Sequence, residues 1–347
     1  MAIMGVLLIA LGGFASGSFY LPLKKIKQWS WETYWLVNGV FAWIIVPCLI
    51  AYLTVPDVLA VVAGSPRESF WLACLFGALW GIGGLTFGLA IRYLGMSLGM
   101  AIALGLTAAF STLIPPLFHG VFGELLSSSS GLIALAGVAV SLAGIAVCGW
   151  AGMRKDHELG DAEKKAGVEE FDFRKGLLVA LVAGIMSACF AFGEDAGRPI
   201  AEAAVRQGAS PLWQYNPVYA VILIGGFVTN FIWCIILGTR NRSFGDYTKK
   251  GAPLATNYVF AALAGATWYA QFVFKGMGTS KMGEFTFASW SILFAFVIVF
   301  SNLWGLVTRE WKGVSKKTMV ILTAGILLLI ISGFVSGWGS YLHQFEH

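Results

Sequence analysis

The side chains best suited to bind a small polar molecule are aromatic rings and amides inside apolar segments. The aromatic candidates are Trp80, Trp268, Tyr269 and Trp290, and the amide candidates are Asn38, Asn230 and Gln271. Aromatic rings stack on the C–H faces of a sugar, and amides offer donors and acceptors to its hydroxyl groups. Gln271 follows Trp268 by three positions, which makes the two neighbours on a helix face. Helix packing and interhelical hydrogen bonds explain the same residues without a ligand.

Three acidic residues at the ends of apolar segments are candidates for proton coupling: Glu194, Asp195 and Glu284. A poorly hydrated site disfavours the charged form of a carboxylate, so such a group can take up and release a proton near neutral pH. A structural role is the alternative. Glu284 at a helix start suits the helix dipole and could pair with Lys281. Glu194 and Asp195 could instead be solvated beside Arg198.

The sequence contains no enzyme motif. It has no HExxH, no GxSxG and no phosphate-binding loop, and its four His residues are not grouped with carboxylates at metal-ligand spacing. No CxxC pair occurs, and small core residues are predicted at Cys48, Cys74, Cys148, Cys189 and Cys234. The sequence therefore predicts a protein that is not an enzyme and that uses no cofactor and no metal.

Ten apolar stretches must position these side chains, and they account for nearly the whole chain. The mean hydropathy is +0.77 and only 12% of residues are charged. A helix of about 20 apolar residues crosses a hydrocarbon core of roughly 30 Å. We therefore predict an all-α polytopic membrane protein. The predicted spans are Ala2–Leu21, Tyr34–Leu53, Phe70–Ile91, Ser97–Phe118, Gly131–Gly149, Gly176–Phe192, Val218–Leu237, Thr256–Phe274, Thr286–Val307 and Met319–Gly337.

The cationic residues are distributed unevenly between the two sets of loops. The loops after spans 1, 3, 5, 7 and 9 hold 18 of the 23 Lys and Arg residues. The others are Arg67, Arg198, Arg206, Lys275 and Lys281, which are assigned to the opposite side. Because cationic loops stay in the cytoplasm, the termini are predicted to be periplasmic. The net charge of +5 follows from this pattern and implies no nucleic-acid partner.

Five spans precede a polar segment and five follow it, so the second half enters the membrane from the opposite side. Residues 1–151 are predicted as the first five-helix repeat, 152–175 as a cytoplasmic linker and 176–347 as the second repeat. Inverted repeats of this kind are common in transporters, with the substrate site near the midplane between the repeats. A shift of 171 positions aligns Gly5, Gly13 and Ser16 with Gly176, Gly184 and Ser187.

Several stretches resemble the L-rhamnose–proton symporter family of the drug/metabolite transporter superfamily. They are Lys24–Thr33, Trp80–Gly83, Gly88–Ser97, Trp268–Phe272 and Ser289–Trp290. The first and third are long and unusual in composition, and the resemblance extends over essentially the full chain. It implies ten helices in two inverted repeats and uptake of L-rhamnose driven by a proton gradient.

The sequence departs from the family pattern next to the ninth span. That pattern has an Asp between two Tyr just before the Ser-Trp pair, whereas this chain has Phe285, Thr286 and Phe287 there. Glu194 and Asp195 stand where the family has uncharged residues. The resemblance therefore supports a sugar carrier more firmly than it supports proton symport of rhamnose.

The function predicted from the sequence is import of L-rhamnose or a related deoxyhexose by proton symport, with alternating access. The expected partners are the sugar, the proton and the lipid bilayer, and the expected location is the bacterial cytoplasmic membrane. The alternatives within the same fold are sugar uniport and export or exchange of another small metabolite. A membrane receptor or enzyme that transports nothing is the alternative from a different class.

Overall fold

The computed structural model describes residues 2–94, 96–159 and 172–346, and the regular structure within these ranges is entirely helical. The long helices are α1 (Ala2–Ser18), α2 (Trp31–Thr54), α3 (Arg67–Leu94), α4 (Met96–Phe118), α5 (Ser129–Glu158), α6 (Phe173–Ala196), α7 (Asn216–Asn241), α8 (Leu254–Thr279), α9 (Ala288–Val307) and α10 (Lys316–Glu346). The middle of α2, Val40–Ile45, is a π-helix. Short helices lie between the long ones, at Tyr20–Leu23, Val58–Gly64, Phe122–Ser127, Arg198–Arg206, Pro211–Trp213, Ser243–Thr248 and Gly283–Phe287.

Nine helices in the described ranges are long and apolar enough to cross a membrane, which confirms a polytopic membrane protein. They include all the long helices except α8. With 26 residues, α8 is about 39 Å long, so its length is sufficient for a crossing. Its buried polar side chains include Asn257, Gln271 and Lys275.

Helical structure extends into both ends of the predicted linker 152–175. The fifth long helix continues to Glu158, and α6 begins at Phe173 with the Asp172 side chain accepting a hydrogen bond from the Lys175 backbone. Glu158 holds the end of α5 against the start of α10, since its carboxylate accepts from the Thr318 hydroxyl at 2.6 Å and from the Ser315 backbone N–H at 2.7 Å. The remainder of the predicted linker, 160–171, lies outside the described residues.

Helices from the two parts of the chain interleave. The third helix packs along α6 and α7, and α8 packs along α1 and α2. Helix α4 contacts α6, α1 contacts α9, and α5 and α10 lie against each other along much of their length. The largest group of buried apolar side chains lies where α2, α6, α7, α8 and α9 meet. This region holds the candidate site.

Two glycines allow an especially close contact between α3 and α7. A Cβ atom at Gly77 would collide with the carbonyl oxygen of Ile222, and one at Gly225 would collide with that of Cys74. Small residues at helix interfaces permit such close backbone approach in membranes. Gly84, two turns further along α3, has nothing within 4 Å of an added Cβ. The glycines of this segment therefore serve different purposes.

Candidate functional site

Nine aromatic side chains from six helices form one continuous group, which we term the central aromatic cluster. Its members are Trp35 and Trp43 of α2, Trp80 of α3, Phe190 of α6, Tyr219 and Phe227 of α7, Trp268 and Phe272 of α8, and Trp290 of α9. The cluster joins helices from both parts of the chain, since α2 and α3 precede residue 160 and the others follow residue 171.

The rings of the cluster contact one another both edge-on and face-on. Phe190 and Phe272 stack with centroids 4.6 Å apart, and Trp80 meets Phe190 edge-on at 5.3 Å. Trp268 lies 5.8 Å from Trp80 and 5.1 Å from Phe272. Such pairs add about 0.5–1.5 kcal/mol each beyond the area that they bury. The cluster therefore offers a large, rigid aromatic surface between the helices.

A buried ion pair lies at one end of the cluster. The Lys275 ammonium is 2.8 Å from Oε1 and 2.7 Å from Oε2 of Glu194, and the Tyr219 hydroxyl donates to Oε1 at 2.9 Å. The same ammonium lies 4.1 Å from the centroid of the Trp290 ring. Lys275 is 0% exposed and Glu194 is 8% exposed. Charged residues buried inside membrane proteins usually mark substrate or proton pathways.

The alternating direction of the helices brings these four residues together. Glu194 and Lys275 lie in the last turns of α6 and α8, whereas Tyr219 and Trp290 lie in the first turns of α7 and α9. The prediction that Lys275 belongs to an outer loop is wrong. Helix α8 continues past Phe274, and the Lys275 side chain is buried inside the helix bundle.

The structure brings three of the four predicted aromatic residues, Trp80, Trp268 and Trp290, into the central aromatic cluster. Tyr269 lies beside it, with its ring 6.3 Å from that of Phe272. Tyr269 is fully buried, and its hydroxyl has no hydrogen-bond partner within the described ranges. Its role as a sugar-binding residue stays a prediction.

The predicted amides are all buried but differ in their partners. Asn230 accepts a hydrogen bond from the Trp35 indole N–H at 3.3 Å. The Oδ1 atom of Asn38 has no partner among the residues the structure covers. Gln271 donates to the backbone carbonyl of Trp268 at 2.9 Å, and its own backbone packs against Gly12 of α1. Asn230 is thus bonded to a ring of the cluster, whereas Gln271 is bonded to the backbone of a cluster residue.

The predicted acidic residues separate into different environments. Glu194 belongs to the buried ion pair, whereas the neighbouring Asp195 is partly exposed and pairs at 2.7 Å with His119, which directly follows α4. Arg198, considered as a partner for these acids, pairs with Glu202 at 3.3 Å. Glu284 lies in the short helix Gly283–Phe287, and its side chain is outside the described part of the structure.

Sequence reasoning missed Lys275, Tyr219, Phe190 and Trp43 as members of the site. One signal for Lys275 was its position four residues after Gln271, which places both on neighbouring turns of one helix. The rest of the site depends on contacts between helices far apart in sequence. Within the described ranges, no group of three or more His, Cys, Asp or Glu residues could hold a metal ion.

At the opposite end of the bundle, polar contacts link the loop after α1 to segments late in the chain. Asp246 accepts from the Ser30 backbone N–H at 2.7 Å, and Lys24 pairs with Glu310 at 2.8 Å. Partial burial raises the pKa of Asp246, but hydrogen bonds from Ser30 and Thr33 outweigh it and lower the pKa below its usual value. The hydrogen bond from Lys24 likewise lowers the pKa of Glu310.

Comparison with known proteins gives a single family over the whole length of the chain. The family model described as L-rhamnose-proton symport protein matches residues 1–341. Proteins named L-rhamnose-proton symporter from Yersinia pestis (strain Pestoides F) and Yersinia pseudotuberculosis (serotype O:1b, strain IP 31758) are each 37% identical over 341 residues, 97% of this chain and 98% of theirs. One from Cronobacter sakazakii is 36% identical over 340 residues, 97% of both chains.

These matches confirm the resemblance to the L-rhamnose–proton symporter family that was drawn from the sequence motifs. The family consists of transporters, which agrees with the prediction that the protein is not an enzyme. This chain belongs to the L-rhamnose–proton symporter family.

Proposed function

We propose that this protein imports L-rhamnose together with a proton across the bacterial cytoplasmic membrane. The observation that carries the proposal is the match to proteins of that name over 97% of the chain. The buried aromatic surface and the charged pair beside it are the chemistry that a sugar–proton carrier needs.

The proposed architecture is ten membrane-spanning helices in two inverted five-helix repeats, with α8 as the additional crossing. Its support is the symmetry of the helix contacts. An inverted repeat makes each helix equivalent to the one five positions away along the chain, so each contact should have an equivalent. The α3–α6 contact has its equivalent in α8–α1, and the α3–α7 contact in α8–α2. The α1–α9 contact has its equivalent in α6–α4. The α5–α10 and α2–α7 contacts convert into themselves.

The proposed orientation follows the distribution of cations, with both termini periplasmic and 152–175 cytoplasmic. In this orientation the Glu194–Lys275 pair lies toward the periplasm, and the Ser30–Asp246 contact faces the cytoplasm. A proton that enters from the periplasm would therefore reach Glu194 without having to cross the bundle.

The proposed sugar site is the central aromatic cluster with the amides and hydroxyls around it. Trp80, Trp268 and Trp290 would stack on the apolar faces of rhamnose and on its methyl group. Hydroxyl groups would be bound by the polar side chains of Asn38, Asn230, Tyr269 and Gln271. Replacing Gln271 with Ala should abolish saturable uptake while the protein remains folded, and undiminished uptake would exclude Gln271 from the site.

Glu194 is the proposed proton-coupling residue, because both of its carboxylate oxygens contact the Lys275 ammonium and one also accepts from the Tyr219 hydroxyl. Both contacts depend on the charge of the carboxylate. Protonation would remove the charge that holds Lys275 and would leave the ammonium against the ring of Trp290. Asp195 and Glu284 remain the other candidates for coupling, Asp195 through its contact with His119.

Alternating access requires contacts that can form and break at each end of the bundle. Toward the cytoplasm, Ser30–Asp246 and Lys24–Glu310 join the two halves of the chain. Toward the periplasm, the Asn216 amide donates to the Thr54 hydroxyl at 2.9 Å. We propose that the two ends open in turn around the aromatic cluster.

The experiment is uptake of radiolabelled L-rhamnose into proteoliposomes, with and without an inward proton gradient. Proton symport predicts accumulation that the gradient stimulates and that a protonophore abolishes. Absence of uptake by folded protein would mean a different substrate.

Sugar uniport is the second candidate, and one observation favours it. Lys275 already neutralises Glu194, and Thr286 replaces the acid of the family pattern. Uniport predicts saturable uptake that equilibrates the sugar and does not respond to the proton gradient. Export or exchange of another metabolite predicts little rhamnose uptake and stabilisation by a different compound in a ligand panel.

A further inference from the structure

The second helix changes its hydrogen-bond pattern in the middle of the bundle. Val40–Ile45 is π-helical, and the Val46 backbone N–H bonds to the carbonyl of Phe41, five residues earlier. Pro47 follows directly and has no N–H with which to continue a regular α-helical pattern. Short π-helical segments inside α-helices occur frequently at functional sites, because they redirect a side chain.

The side chain within this segment that faces the aromatic cluster is Trp43. Its ring meets Trp80 at 6.1 Å and Trp268 at 6.0 Å, both nearly perpendicular, and it also contacts Phe227 at 6.5 Å. A Cβ atom at Gly39 would collide with the same ring, so the preceding turn leaves space for it. Trp43 thus touches helices from both halves of the chain.

The indole N–H of Trp43 is a buried donor without an acceptor. The residue is 3% exposed, and Nε1 has no hydrogen-bond partner in the part of the chain that the structure describes. A buried indole N–H usually has a partner, because leaving the donor unsatisfied destabilises the fold. Here the donor lies among the rings of the cluster, and none of them offers it an acceptor in the described part of the chain. A ligand hydroxyl is the group that would satisfy it.

We propose that Trp43 is a sugar-binding residue whose Nε1–H donates a hydrogen bond to one hydroxyl of the transported sugar. The π-helical segment sets the position of this donor, and the neighbouring rings exclude water from it. The proposal rests on the proposed sugar transport and adds to it a residue that distinguishes one hydroxyl from the others. A site built to bond a hydroxyl rejects the analogue that lacks it, because the buried donor is then left unpaired.

The test measures binding of L-rhamnose and of its 2-, 3- and 4-deoxy analogues to the purified full-length protein in detergent. The variant Trp43→Phe keeps an aromatic ring and removes the N–H. Replacing Trp43 with benzothienylalanine keeps the two-ring shape and removes only the N–H, so it provides a second variant if Phe disturbs folding. The control is Trp29→Phe, since Trp29 also has a buried Nε1 without a partner but packs against Tyr247 and Tyr258, outside the cluster.

We expect Kd for L-rhamnose to rise about 5- to 15-fold in both Trp43 variants and to stay unchanged in Trp29→Phe. One deoxy analogue should bind the wild-type protein more weakly than L-rhamnose, and this difference should disappear in the Trp43 variants. If the variants keep the wild-type ratios for all three analogues, Trp43 does not bind a hydroxyl. If the wild-type protein binds no L-rhamnose, the proposed function fails and this inference with it.

Discussion

The ammonium of Lys275 lies within 2.8 Å of both carboxylate oxygens of Glu194, in a part of the bundle where neither side chain meets much solvent. Taking two charges out of water is unfavourable, so a buried pair is weak support for stability in itself. Removing one partner is strongly destabilising, because the remaining charge is then buried alone. The pair is therefore sensitive to anything that neutralises one member.

Replacing one member of this pair should be more harmful than replacing both. We expect Lys275→Met and Glu194→Gln each to lower the free energy of unfolding by about 3–5 kcal/mol, and the double variant to lose clearly less. Thermal unfolding of the purified protein in detergent measures this. Glu202→Gln is the matched control, because Glu202 pairs with Arg198 at an exposed position and should change stability by less than about 0.5 kcal/mol. Additive losses in the double variant would show that the two residues are not coupled.

The role of Glu194 in coupling can be separated from sugar binding. Glu194→Gln cannot take up and release the proton, so we expect it to lose accumulation against a gradient while keeping exchange of labelled for unlabelled sugar. Both activities are measured in the same proteoliposomes, with Glu202→Gln again as the control at the same end of the bundle. Accumulation that persists in Glu194→Gln would transfer the coupling role to Asp195 or Glu284.

The aromatic cluster should determine affinity for the sugar. We expect Trp268→Leu to raise KM for L-rhamnose about 10-fold, because losing one stacking ring removes about 1–1.5 kcal/mol of binding. Trp71→Leu is the control, since Trp71 is 66% exposed on the outside of α3. An unchanged KM in Trp268→Leu would place the sugar elsewhere.

Two glycines of one helix allow a matched test of packing. Gly77→Ala should lower the free energy of unfolding by about 1–3 kcal/mol, because the new methyl group meets the Ile222 carbonyl across the α3–α7 contact. Gly84→Ala should cause no loss, since nothing lies within 4 Å of its added Cβ and Ala favours a helix over Gly by about 1 kcal/mol. The two variants are compared by thermal unfolding, and equal effects would contradict the close contact.

Stability should fall in acid through Asp246. Hydrogen bonds from Ser30 and Thr33 lower its pKa in the folded protein despite partial burial, whereas the unfolded chain has a value of about 3.9. The contribution is therefore present above the unfolded pKa and is lost as the pH falls through the folded pKa. Asp246→Asn should show a smaller loss of Tm between pH 5 and pH 3 than the wild-type protein. Identical pH profiles would exclude this contact as the cause.

The sequence was sufficient to predict where the long helices lie, because apolar stretches of this length follow from local composition. The apolar stretches that predicted α3, α5 and α9 correspond to helices in the structure, although α5 extends further than its apolar core. Trp80 and Trp268 are in contact and Trp290 reaches them through Phe190, but the sugar-binding role of these residues stays a prediction.

The ion pair was not predictable in the same way. Glu194 and Lys275 are 81 positions apart, and their contact depends on how α6 and α8 pack. A lysine at the end of an apolar stretch resembles a loop residue, because composition alone does not show that the helix continues for another turn. Similarly, the missing acceptor of the Trp43 N–H depends on how α2 packs against α3, α7 and α8, which the residue pattern of α2 does not show.

The interleaving of helices also has a consequence for how the chain is made. The third helix has its partners in α6 and α7, which are synthesised only after residue 172, and α8 returns to α1 and α2. A ribosome that has completed the first five helices has thus produced a surface whose partners do not yet exist. The two halves are therefore not separable modules. The helices of the first half obtain their packing partners only when the second half has been inserted into the membrane.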